Sequence, residues 1–171
     1  MPDITFNNPL NPVLQVLILV VVSIAVVTDI RRRRIYNVLT FPTMALGIVL
    51  NTALHGGAGL LLSVMGLLLG ATIFFIPVAA GGRGAGDLKL LAAVGALGGP
   101  VFVFWCAIFT SMVGGLFAVA VLLYKRRLVS VAGGMALDLY TQQAPRMNSN
   151  IRLPYAIPIA LGAVAALVFR S

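Results

Sequence analysis

Asp29 and Asp87 are the residues of this chain whose type and position most favour chemistry. They are two of only four acidic residues among 171, and each lies at the edge of a long apolar segment. A carboxylate this close to hydrocarbon is costly, so a functional role is the first explanation for it. If the two aspartates meet at one face of a membrane, they form a pair that can share a single reaction.

Two neighbouring carboxyl groups suit the hydrolysis of a peptide bond. Both cannot easily be ionised, so one holds a proton while the other is charged. The charged member takes a proton from water, the protonated member polarises the scissile carbonyl, and both then exchange protons with the leaving amine. We therefore expect no metal and no cofactor. The single cysteine and the single histidine also exclude a zinc or disulfide framework built from those residues.

Each aspartate also has a simpler explanation. Asp29 could form a salt bridge with Arg31–Arg34, although four arginines exceed what one carboxylate needs. Asp87 could be the N-cap of the helix that follows it. The functional interpretation is favoured by Gly84 and Gly86, because glycine permits positive φ and lets a substrate strand approach closely. The glycines lack the full GxGxxG spacing, so a nucleotide site is not indicated.

The composition is that of an integral membrane protein. Hydrophobic residues make up 60% of the chain, charged residues only 9%, and the mean hydropathy is +1.05. Soluble domains carry about 25% charged residues. The net charge of +8 could suggest a nucleic-acid partner. We expect none, because the basic residues cluster between apolar segments, where the positive-inside rule places them.

The apolar segments predict an all-α, single-domain protein spanning residues 1–171, with its N-terminus outside. The glycine-rich loop that contains Gly84 and Gly86 would then be cytoplasmic, and so would a long connection at 125–152. Every basic residue except Arg170 would lie on the same side. The fourth segment is only about half as long as a membrane core of about 30 Å requires, which would place the Asp87 loop below the membrane surface. Six transmembrane helices are expected, at about 10–28, 38–54, 60–80, 88–97, 101–124 and 153–169.

Two motifs resemble those of the type IV prepilin peptidases, which are GxGD-type aspartic proteases of the bacterial inner membrane. One is Asp29 followed by the arginines and Ile35-Tyr36-Asn37. The other is Gly84-Ala85-Gly86-Asp87 with Lys89. The resemblance covers roughly Val13–Phe169 and includes Pro154-Tyr155-Ala156 near the start of the last helix. Tyr36 departs from the family pattern, which has proline there.

The resemblance implies a multi-pass enzyme of the bacterial inner membrane with Asp29 and Asp87 as its catalytic residues. Its substrate would be a prepilin or pseudopilin, cut after a glycine at the cytoplasmic face, just before the hydrophobic helix of the substrate. Larger members add a domain with two CxxC pairs that N-methylates the product. One cysteine cannot supply these, so the chain resembles the short, Flp-type peptidase without methyltransferase activity. Four further residues are expected to bind substrate or shape the loop: Gly84, Gly86, Lys89 and Asn37.

Two other classes of function fit an apolar chain with paired aspartates. In a small proton- or ion-coupled transporter, Asp29 and Asp87 would be relay or ion sites, although transporters more often hold such residues near the bilayer midplane. In a structural membrane subunit, Asp→Asn changes would be silent. The position of both aspartates at one membrane edge, beside a basic rim, favours the peptidase.

Overall fold

The protein is all-helical over the residues that the computed structural model describes, which are 10–79, 85–124 and 156–169. Gly84, Asp138 and the predicted cytoplasmic connection at 125–152 lie outside the described residues. The expectation of an all-α fold is confirmed. Within these ranges four helices follow one another: α1 (Pro12–Arg32), α2 (Asn37–Ala79), α3 (Ala85–Tyr124) and α4 (Ala156–Phe169).

Three of these helices contain stretches long and apolar enough to cross a membrane: Pro12–Arg32, Asn37–Phe75 and Ala85–Phe117. The chain is therefore a membrane protein, as its composition predicts. The number of crossings and the cytoplasmic placement of the loops stay predictions.

Helix α1 starts at Pro12, in the first position of the helix, where its missing N–H leaves no bond unmade. Asn11 caps this end, because its side-chain oxygen accepts the Val13 N–H at 3.0 Å. The other end is closed by Arg33, which adopts the left-handed conformation (φ 51°, ψ 38°) and donates its N–H to the Asp29 carbonyl at 2.8 Å.

The helix thus extends into the arginine run, four residues past the end expected from hydropathy. Arg31 and Arg32 lie in its last turn, where cations interact favourably with the helix dipole. As a result Asp29, expected at the very end of the helix, lies in the last turn of α1.

Two glycines interrupt the longer helices at the turns that the sequence predicts. Gly56 (φ 60°, ψ −142°) breaks α2, and Gly99 (φ 77°, ψ 178°) breaks α3 just before Pro100. Both have positive φ, which glycine adopts without strain. Each break separates two helical parts, at residues 37–55 and 57–79 in α2 and at 85–98 and 100–124 in α3.

The first part of α3 is the centre of the structure. Every residue from 90 to 97 is buried, which explains how an apolar segment too short to span a bilayer is accommodated. Both parts of α2 pack against it. Gly66 and Gly95 contact each other backbone to backbone, which only residues without a side chain allow.

The Ala96 carbonyl joins these segments. In an unbroken helix it would accept the N–H of residue 100, but Pro100 has none. Instead it accepts the Ser63 hydroxyl at 2.6 Å and the Asn51 amide at 3.0 Å, one from each part of α2. Asn51 also donates to the Leu97 carbonyl at 3.1 Å. Buried carbonyls left open by the break are thus satisfied, as a membrane interior requires.

We expect Asn51→Leu, which keeps the branching of the side chain, to lower the free energy of unfolding by about 1–3 kcal/mol, because the Leu97 carbonyl loses its side-chain donor. Unfolding in detergent micelles measures this. The matched control is Thr72→Val, since the Thr72 hydroxyl is exposed and bonds only within its own helix, to the Leu68 carbonyl. Equal stability of the two variants would contradict the role assigned to Asn51.

Candidate active site

Asp29 is held by a helix that is distant in sequence. Its side chain is only 9% exposed, and Oδ2 accepts the backbone N–H of Ala156, the first residue of α4, at 3.2 Å. The arginines Arg31–Arg34 are all exposed, and within the described part of the chain none forms an ion pair with Asp29. The salt bridge considered as the simpler explanation for Asp29 is therefore not present in this structure.

Asp87 lies in the first turn of α3. The helix starts at Ala85, earlier than hydropathy indicates, so Asp87 is its third residue and not its N-cap. An acidic residue in a first turn interacts favourably with the helix dipole. The side chain is half-buried.

The structure brings the two aspartates together. The end of α1 and the start of α3 meet, and the Asp29 and Asp87 carboxylates are close enough to interact electrostatically. Two charged carboxylates in this arrangement would repel each other. Two-aspartate hydrolysis needs carboxylates that interact, and the catalytic roles themselves stay a prediction.

Lys89 of α3 and Asn37 of α2 are also in contact, although they are 52 residues apart in the sequence. The Lys89 Nζ donates to Asn37 Oδ1 at 2.9 Å and lies 5.4 Å from the centre of the Phe41 ring. Phe41 is one helical turn after Asn37, on the same face of α2. Two residues apart on a helix, Lys89 and Asp87 point in different directions. Lys89 therefore ties α3 to the start of α2.

Gly86 brings the same turn of α3 against the connection between α1 and α2. A Cβ atom at Gly86 would lie 3.2 Å from the Ile35 Cβ, so the two segments are in near contact. Ile35 in turn packs on the apolar core. The next residue, Tyr36, starts α2 by accepting the Leu39 N–H at 3.0 Å with its carbonyl, and it occupies the position where the prepilin peptidases have proline.

Three contacts of this site were not among the residues predicted for it. Phe41 and Ile35 carry no chemical signature, since apolar residues are frequent throughout the chain. The Ala156 N–H is a backbone group, and every residue except proline has one. The start of the last helix was indicated only by the resemblance of Pro154-Tyr155-Ala156 to the family pattern.

The Asn37–Lys89 bond predicts a measurable coupling. Lys89→Met and Asn37→Ala should each destabilise the protein slightly. The double variant should lose less unfolding free energy than the two single variants lose together, by about 0.5–1 kcal/mol. Unfolding of the four proteins in detergent measures the coupling. Strict additivity would show that the contact contributes nothing.

Comparison with known proteins bears on the site directly. Residues 16–119 match the model of the type IV leader peptidase family. The matched range is more than half of the chain and includes both aspartates. The chain belongs to the type IV leader peptidase family. No curated protein and no solved structure matches it.

Family membership makes the chain a membrane peptidase and agrees with the resemblance seen in its motifs. The matched residues include Asn37, Gly84, Gly86 and Lys89 as well as the aspartates. Helix α4 follows the matched range, yet it supplies the hydrogen bond to Asp29.

Proposed function

We propose that this member of the type IV leader peptidase family is an aspartic endopeptidase that removes the basic leader of Flp-type prepilins or pseudopilins. Asp29 and Asp87 carry out the reaction at the cytoplasmic face of the bacterial inner membrane. The observation that supports the proposal best is that the two carboxylates, which come from different helices, are close enough to interact electrostatically.

The reaction needs one proton shared by the pair. The charged aspartate removes a proton from a water molecule as the oxygen of that water attacks the scissile carbonyl, whose oxygen accepts a hydrogen bond from the protonated aspartate. When the resulting tetrahedral intermediate breaks down, the carbon–nitrogen bond is cleaved and the amine leaves with a proton from the pair. The pair returns to its starting state with one proton.

The surrounding residues shape the site. The Lys89–Asn37 bond holds the start of α2 beside α3, and Gly86 lets the segment around Ile35 lie against the turn that carries Asp87. These contacts keep the end of α1 and the start of α3 in register. Gly84 is proposed to admit the substrate strand, on the basis of the GxGD motif alone.

The substrate class is proposed from the chemistry of the site and from the family. A prepilin has a hydrophobic helix immediately after its cleavage site, so the helix can stay in the bilayer while the scissile bond lies at the membrane edge. For these 171 residues we propose peptidase activity without N-methylation, since they hold one cysteine and therefore no CxxC pair.

The test is cleavage of a Flp-type prepilin and a pseudopilin, each co-expressed with the peptidase in bacterial membranes. We expect a shortened substrate whose new N-terminus, read by mass spectrometry, follows a glycine and carries no methyl group. A double variant, Asp29→Asn with Asp87→Asn, should leave the substrate at full length. Cleavage by the double variant would refute the aspartic mechanism, and proton-coupled transport through Asp29 and Asp87 would then be the function to assay.

A further inference from the structure

Asp29 is placed where its own helix disfavours it. It lies near the C-terminal end of α1, where the helix dipole favours cations. Nearly all of the side chain is buried, so water cannot compensate for this. The compensation comes from α4, whose first N–H, that of Ala156, is one of the donors that no helix can use internally. The two groups are 3.2 Å apart, and Ala156 is itself fully buried.

Helix α4 is fixed in turn by the second part of α3. Gly162 packs against the Cys106 backbone and the Thr110 side chain with no room for a larger residue. At the other end of α4 the Phe169 ring lies 4.7 Å, centre to centre, from the Trp105 ring. The start of α4, and with it the Ala156 N–H, is therefore positioned by the same helix that carries Asp87.

We propose that the Ala156 backbone N–H is a positioning group of the active site, which holds the Asp29 carboxylate in the orientation that meets Asp87. This inference rests on the proposed function, because it concerns the same pair of aspartates. It makes α4, outside the range that matches the family, a component of the catalytic machinery.

The expected effect is on the rate of the chemical step. A hydrogen bond to a charged group is among the stronger ones in proteins, and a reacting group displaced by about 1 Å can cost about 100-fold in rate. Loss of this bond should therefore lower kcat by about 10- to 100-fold. The KM for the prepilin should change by less than about twofold, because Ala156 is fully buried and presents no surface to a substrate.

The experiment replaces the Ala156 amide with an ester. A suppressor tRNA charged with lactic acid, used in cell-free synthesis into lipid nanodiscs, installs at position 156 the shape of alanine without its N–H. The same tRNA charged with alanine restores the wild-type protein. A second ester, in place of Ala160 one turn later in α4, is the matched control, since it weakens the same helix without touching Asp29.

A fall in kcat at position 156 alone, with KM unchanged, supports the inference. Wild-type kcat for the ester at position 156, or an equal loss for the ester at position 160, would overturn it. In those cases the alanine-restored protein still cleaves, so the proposed function survives. If the alanine-restored protein does not cleave prepilin, or if the Asp→Asn variants do, the proposed function fails and this inference fails with it.

Discussion

Asp29→Asn and Asp87→Asn are each expected to lower the rate of prepilin cleavage by about 10²- to 10⁴-fold, the usual contribution of a general acid or base. Asparagine has the size and shape of aspartate but can neither accept the proton from water nor donate one to the leaving amine. The double variant should be little worse than the more damaged single variant, because residues that act as a unit are not additive. Cleavage rates in nanodiscs, followed by gel shift, measure all three.

The control is Asp138→Asn, the same change at an aspartate that is not part of the predicted pair. It should cleave at the wild-type rate. All variants should insert into the membrane in equal amounts, since neutralising a carboxylate beside hydrocarbon removes a cost. If either Asp29→Asn or Asp87→Asn cleaves as fast as wild type, the aspartates do not form a catalytic pair.

Gly95→Ala is expected to destabilise the protein by roughly 3 kcal/mol or more, near the upper end of the usual cost of overpacking a buried core. A methyl group at Gly95 would overlap the Gly66 carbonyl, and the atoms in conflict are backbone, so no side chain can rotate away. The two segments must therefore separate. Because Gly95 lies two helical turns after Asp87, the separation should also disturb the aspartate pair and lower cleavage.

Gly115→Ala provides the matched control, because a methyl group there meets nothing within 4 Å. The same substitution in an open helix position should be neutral or stabilising by up to about 1 kcal/mol. Unfolding in detergent compares the two variants directly. If Gly95→Ala is as stable as Gly115→Ala, the close contact of α2 and α3 does not contribute to stability.

The sequence by itself determined the features that are local or that depend on composition. The apolar content and the long apolar runs are sufficient to predict a helical membrane protein. Glycine and proline mark the breaks at Gly56 and Gly99, because both residues act on their own backbone. The rarity of acidic residues singles out Asp29 and Asp87, and the two motifs around them are sufficient for the resemblance to the family.

Only the tertiary structure decided how the helix ends meet. It showed that α1 continues into the arginine run, since its end depends on the Arg33 cap, which hydropathy does not register. It also showed that α3 starts before Asp87. It further showed that the Lys89 side chain bonds to Asn37 and points in a different direction from Asp87.

Two contacts depend on backbone groups, which carry no signature in a sequence. The Ala96 carbonyl, deprived of its helical partner by Pro100, accepts bonds from Asn51 and Ser63. The Ala156 N–H, free because it begins a helix, binds Asp29. Every residue has a carbonyl and nearly every residue an N–H. Only the packing of the helices determines which of these backbone groups lacks a partner within its own helix and which side chain bonds to it.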